Sequence, residues 1–230
     1  MTFSKLSIST AALLISGSAL AAQSLPEGFY LQGQIGLSQL QGADFSGQIG
    51  GGSQSVATDF DDGYGLRFAL GKEVVAWSNS NIGTRIELEF AYQNNDADAV
   101  NFSGNGPAPE GNVSGDVSSA SLFANVLFDF KQSGKFTPFA GFGLGLTRSD
   151  LDVVYGPGVV IRGDDTNFAA QAIVGVSYAV NEQTSLVFDA RYARAFDVAS
   201  PRLAPSGALT GVVEDDLDSF SINAGLRFRF

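Results

Sequence analysis

The stretch RIELE places Arg85, Glu87 and Glu89 two residues apart. Alternate side chains of an extended strand point the same way, so three ionisable groups share one face. Two carboxylates at that spacing invite acid–base chemistry, because glycosidases work with such a pair flanking their substrate. The same parity in neighbouring stretches adds Arg67, Asp129, Asp189, Arg191, Arg227 and Arg229 to this face. Five arginines then stand against four carboxylates. Charges taken out of water need partners, so near balance reads as mutual pairing, with Arg67 able to reach Glu87 or Glu89 across a hairpin. The functional alternative is a gated ion path lined by the same groups.

Composition limits the chemistry further. The chain has no cysteine and no histidine, which removes thiolate chemistry, disulfides and the commonest general base and metal ligand. An enzyme is therefore not expected, and no cofactor is implied. The acidic runs DFDDG (59–63) and EDDLD (214–218) could take Ca²⁺ or bridge it to phosphates. Neither has the full calcium-loop spacing, so solvated surface is the favoured reading and no metal is expected. With a formal net charge of −11, nucleic acid is an unsuitable partner.

The elements that must position these groups are strands. Past the N-terminus the apolar pattern repeats every two residues, in eight segments: 28–39, 63–73, 82–94, 117–130, 136–147, 168–180, 184–193 and 218–230. Each has the length of a tilted membrane-spanning strand. The connections alternate. Those at 40–62, 95–116, 148–167 and 194–217 are long and carry most of the acids; those at 74–81, 131–135 and 181–183 are short. The first group reads as mobile acidic loops, with a hairpin inside 148–167 turning at Gly156–Pro157–Gly158. The N-terminal stretch has one lysine, an apolar core and the small-residue site Ala19–Leu20–Ala21, the pattern of a secretory signal peptide. Residues 1–21 are thus an expected leader and 22–230 one domain.

Volume decides which face meets what. Most of the 19 phenylalanines fall on the apolar face, too much bulk for the inside of a narrow barrel. The other face carries Gly36, Gly71, Gly141, Gly143, Gly145, Gly175 and Gly225 beside the charges. The apolar face should therefore point out, into lipid, and the charged face into a cramped lumen. Phe29, Phe130, Phe136, Tyr178 and Phe230 would ring one membrane surface, with Trp77 in the adjacent turn. Tyr64, Tyr92, Phe168, Tyr192 and Phe220 would ring the other. The fold class is all-β: an eight-stranded antiparallel up-and-down transmembrane β-barrel.

With its leader, its alternating strands, TPFAGFGLGL at 137–146 and a terminal Phe230, the chain resembles the small outer-membrane β-barrels of Gram-negative bacteria. These are the OmpA/OmpX-like and opacity-protein-like group. The resemblance implies short periplasmic turns, long extracellular connections, and contact with outer-membrane lipid and lipopolysaccharide. It also implies recognition of the last strand by the barrel assembly machinery, which matches Phe220, Ile222, Leu226, Phe228 and Phe230. Because the chain stops at the barrel, no peptidoglycan-binding domain is expected. The expected function is structural or interactive: envelope integrity, adhesion or recognition of an extracellular ligand through the acidic loops of a monomer. The alternative is a narrow porin-like channel.

Overall fold

The computed structural model describes residues 27–41, 43–49, 52–60, 62–103, 113–155, 159–203, 206 and 208–230. The leader and Gly156–Pro157–Gly158 lie outside them. Ten strands form: β1 (Phe29–Leu40), β2 (Ala43–Ile49), β3 (Gly52–Phe60), β4 (Asp62–Glu73), β5 (Ile82–Ser103), β6 (Val113–Phe130), β7 (Phe136–Tyr155), β8 (Val159–Ala179), β9 (Thr184–Leu203) and β10 (Leu209–Arg229).

Eight of them make a closed antiparallel wall, β1–β4–β5–β6–β7–β8–β9–β10, which β10 closes against β1 from Tyr30↔Arg229 to Leu40↔Ser219. The other two continue it. Beyond the ends of β1 and β4, β2 takes a place beside β10 and β3 a place beside β5, in register from Ser55↔Ser103 to Asp59↔Ala99. Thus β1/β2 and β3/β4 are two broken staves of one barrel.

The alternation acts as expected through the central band. Leu37, Phe90, Phe142, Leu146, Val174 and Ile222 face outward and are exposed, while Gln34, Arg67, Glu89, Asn125, Gln171 and Asn223 face inward and are buried. Exposed apolar side chains in a continuous belt require lipid around them. At the short-turn end Phe136 packs on Tyr178 with centroids 4.9 Å apart, and Phe228 on Phe230 at 5.4 Å. At the other end Phe168 stacks on Phe196 at 6.0 Å.

The four long connections differ from the expectation of mobile loops. β5 runs for 22 residues, β7 for 20 and β10 for 21, whereas a tilted span needs only about 9–11. About half of each strand therefore stands beyond the membrane, still paired. The residue pattern explains this. Past the aromatic ring at Tyr92, Phe168 and Phe220 the period of two continues, but its polarity reverses. Val117, Leu151, Val198 and Leu217 now turn inward and are almost wholly buried. Asp116, Asp150 and Asp218 stand next to such residues, on the other face. Once water replaces lipid outside, burial favours apolar residues in the interior. The projecting wall is folded like a water-soluble barrel above a membrane barrel.

The ladders are interrupted in several places beyond the membrane, and the widest interruption among the described residues lies between β8 and β9. β8 and β9 pair from Ala169↔Ala195 inward and again at Ile161↔Arg202, but not between. There Asp197 adopts a φ of 53°, a left-handed conformation that breaks the ladder. Side chains bridge the interval. Ala199 N–H donates to Asp165 Oδ2 at 3.0 Å, and Asn167 Nδ2 donates to the Asp197 carbonyl at 2.8 Å.

Candidate functional site

The lumen gathers eight of the nine charged residues that parity placed there. Two neutral clusters result. In the middle, Glu89 on β5 is fully buried. It accepts from Arg67 Nη1 at 3.2 Å, from Arg191 Nη1, from Asn125 Nδ2 at 3.3 Å and from Gln171 Nε2 at 3.3 Å. Every Arg67 nitrogen has a partner, the other two reaching Asn223 Oδ1 at 3.2 Å and Ser221 Oγ at 3.1 Å. Arg191 also binds Asp189 on its own strand at 2.9 Å. Asp189 in turn accepts from Gln34 Nε2 at 2.7 Å and Asn223 Nδ2 at 2.9 Å. Two arginines and two carboxylates thus cancel: β4, β5 and β9 supply the charges, β1 and β10 flank them with Gln34, Ser221 and Asn223, and Asn125 and Gln171 reach in from β6 and β8.

Nearer the short turns, Arg85 Nε donates to Asp129 at 3.0 Å, and Arg85 Nη1 to Glu87 Oε1 at 2.5 Å. Tyr30 O–H donates to the same Glu87 oxygen at 2.6 Å. Arg227 meets no carboxylate at ion-pair distance among the described residues. Its Nε donates to Gln32 Oε1 at 3.0 Å, and its guanidinium lies 5.0 Å from the Tyr30 ring centroid. Arg85 sits 4.7 Å from the centroid of Phe139. Planar guanidiniums stack on aromatic faces, which holds two like charges in one chamber. Arg85 Nη2, Glu87 Oε2 and Arg227 Nη2 have no protein partner.

Arg229 is the exception. Parity points it inward, but it stands at the rim and pairs with Glu73 at 2.9 Å, both side chains nearly half exposed. The lumen count therefore corrects from five cations against four anions to four against four. A pair so screened contributes little.

Sequence parity missed half of the plug. Phe123, Leu127, Phe139, Ile173 and Val187 also point inward and are buried, so the lumen is filled by an apolar wedge as well as by charge. The polar face of β1, Tyr30, Gln32, Gln34 and Ser38, was the signal for the remaining partners. Glycines make room for the largest of these. A Cβ on Gly71 would collide with the Tyr30 ring, and one on Gly175 would stand 2.5 Å from Phe139 Cζ.

Above the middle cluster a cavity of about 40 Å³ is lined by Arg67, Ser121, Thr147, Ser149, Ala169 and Ala193, among others. It holds water-sized occupants, not a sugar. Glu87 and Glu89 are engaged by arginines and face no cleft, which removes the geometry a carboxylate pair needs to act on a glycoside.

The other candidate residues lie apart. Phe220, Ile222 and Leu226 are exposed on the lipid side of β10, and the Phe230 N–H donates to the Phe29 carbonyl at 3.0 Å. Of EDDLD, Asp216 and Asp218 are taken by Arg194, at 3.4 Å and 2.6 Å. The side chains of Asp59, Asp61 and Glu214 lie outside the described residues.

Comparisons with known proteins agree with this architecture. Residues 8–230 match the family model described as outer membrane protein beta-barrel domain. Outer membrane protein PagN of Salmonella typhimurium is 27% identical over 195 residues, covering 78% of each chain. Among solved structures, OprG from Pseudomonas aeruginosa superposes with a TM-score of 0.59 at 15% identity, over 90% of this chain and 99% of that one. The outer membrane protease OmpT from Escherichia coli gives 0.54 at 11%, over 87% and 97%. At these identities the structural likenesses speak for the fold alone, a fold that carries a protease in one case. The chain belongs to the outer membrane β-barrel family, as an eight-stranded barrel of the Gram-negative outer membrane.

Proposed function

We propose that this protein is a non-conducting, non-enzymatic barrel whose strand-built extracellular extension is a recognition surface, serving adhesion or envelope integrity as a monomer. The observation that carries the reading is the contrast between the two halves. The membrane half is filled across its section by Glu89, Arg67, Arg191, Asp189 and an apolar wedge. The outer half spends long paired strands on building a wall far beyond what a membrane anchor needs. Ladder-paired hairpins also hold outward residues at a low entropic cost of binding, which suits recognition of a surface better than mobile loops do. The acidic outer face favours cationic ligands or divalent-bridged polyanions such as lipopolysaccharide.

The test shortens the β5–β6 and β7–β8 hairpins to turns just beyond the aromatic ring. Cells making the trimmed barrel should keep folded, heat-modifiable protein in the outer membrane and lose attachment to target surfaces. Attachment equal to wild type would contradict the reading.

The second reading is a narrow ion channel lined by Arg67, Arg85, Glu87 and Glu89. What favours it is the set of buried polar atoms without protein partners near the short-turn mouth, which suits a hydrated path.

The outward face of β10 with Phe230 serves, in this proposal, as the assembly signal read by the barrel assembly machinery.

A further inference from the structure

Apart from Lys5 in the expected leader, the chain has three lysines, Lys72, Lys131 and Lys135, and all three stand at the short-turn end. Lys72 stands level with the aromatic ring, and Lys131 and Lys135 each sit one residue beyond it. The Lys72 ammonium lies 4.7 Å from the centroid of Phe29, its cross-strand partner. Lys135 lies 5.7 Å from that of Tyr178. Lys131 follows exposed Phe130, and its Nζ donates to the Asn79 carbonyl at 2.8 Å. None has a carboxylate at ion-pair distance among the described residues, although the chain carries 24 acids. The one rim carboxylate that does pair, Glu73, is taken by Arg229. At the opposite end Arg148 is matched by Asp164, and Arg194 by Asp216 and Asp218.

The turn between β4 and β5 adds an apolar element. Val75 and Trp77 are 81% and 63% exposed, yet the turn is firmly built. Ser78 Oγ donates to the Val74 carbonyl and accepts from Thr84 N–H, while Thr84 Oγ1 donates to the Trp77 carbonyl. A rigid turn that presents an indole and a valine is matched to a medium apolar on one side and polar on the other. The other two short turns, 131–135 and 181–183, carry no large apolar residue.

We infer that this end is a phosphate-binding rim for anionic phospholipids of the inner leaflet: Lys72, Lys131 and Lys135 hold headgroup phosphates, and Trp77 with Val75 is wedged at the same level. Lysine stems cover apolar surface while their ammoniums reach the phosphates. Aromatic faces orient the ammoniums without neutralising them, so the charge stays available to lipid. Anionic headgroups attract each such lysine several-fold over zwitterionic ones.

Trp77 is the single tryptophan and reports on its own lipid neighbours. The purified protein is reconstituted in phosphatidylcholine vesicles containing phosphatidylglycerol, with one lipid or the other brominated to quench the indole. Brominated phosphatidylglycerol should quench Trp77 several-fold more effectively than brominated phosphatidylcholine at equal fraction, and the preference should fade in high salt. The K72Q/K131Q/K135Q variant should lose the preference while staying folded, and K72R/K131R/K135R should keep it. The single variants K72Q and K135Q should each weaken it if the triple variant fails to fold. R148Q, at the opposite end, should leave it unchanged. Millimolar inorganic phosphate at constant ionic strength should leave it unchanged too, because the site is built for a headgroup fixed in the leaflet; displacement by free phosphate would overturn the lipid assignment. Equal quenching by both lipids in wild type, or an undiminished preference in the glutamine variants, would overturn the inference as a whole.

Discussion

Glu89→Gln should be the most damaging single-charge change in the lumen. Glu89 is fully buried and takes bonds from two guanidiniums and two amides. Glutamine keeps the shape but turns one acceptor into a donor that faces donors. The middle cluster then holds Arg67 and Arg191 against Asp189 alone, a net positive charge among buried side chains. Removing one partner of a buried pair costs about 3–5 kcal/mol. With a urea slope of roughly 2–3 kcal/mol/M, the midpoint should fall by on the order of 1–2 M. The assay is urea unfolding in phospholipid vesicles, followed by Trp77 fluorescence and by heat-modifiable migration. Glu87→Gln should cost less, because Glu87 has one arginine and one tyrosine partner and a second oxygen without a protein partner. Combining Glu89→Gln with Arg67→Gln should cost less than the sum of the two, since the second change removes the charge the first strands. A Glu89→Gln midpoint equal to wild type would refute the reading of this cluster as buried and mutually neutralised.

Three further outcomes follow from separate parts of the molecule. Gly71→Ala should destabilise the barrel by about 1–3 kcal/mol, because the new methyl displaces the Tyr30 ring and with it the 2.6 Å bond to Glu87; the same urea titration reads it. The Asp165 carboxyl, beyond the membrane, is held below the usual range by the Ala199 N–H. A depressed folded-state value means its contribution is complete above about pH 4 and is lost as pH falls further, so the protection of the Ala199 amide relative to its intrinsic exchange rate should fall only in that acid window, and Asp165→Asn should abolish that change in protection. Deleting Phe230 should reduce the amount of folded protein in the outer membrane of producing cells; normal levels would show that the terminal aromatic is dispensable for assembly.

Strand parity carried the reading from sequence a long way. It put eight charged side chains into the lumen, and volume put the phenylalanines outside. Its failures have physical reasons. Parity reports a face but not a depth, so Arg229 was counted inside although it stands at the rim beside Glu73. It names no cross-barrel partner, because contacts such as Arg227 with Gln32 and Arg191 with Gln34 join residues at opposite ends of the chain. Phe123 and Phe139 broke the rule that the inner face is polar, and only the glycines and small residues facing them make this possible. The acidic connections looked like loops because aspartate and glycine are poor strand formers. The alternation of Asp150, Leu151 and Asp152 was nonetheless a strand signal, disguised by the reversal of polarity where water replaces lipid.

A closed lumen is what we propose for this barrel. Single-channel recording of the refolded protein in planar bilayers tests it most directly, with Glu89→Gln alongside. A silent wild type, with openings appearing only in the variant, is the predicted result. Steady, reproducible openings in the wild type would contradict the account and assign Arg67, Arg85, Glu87 and Glu89 to the walls of a channel.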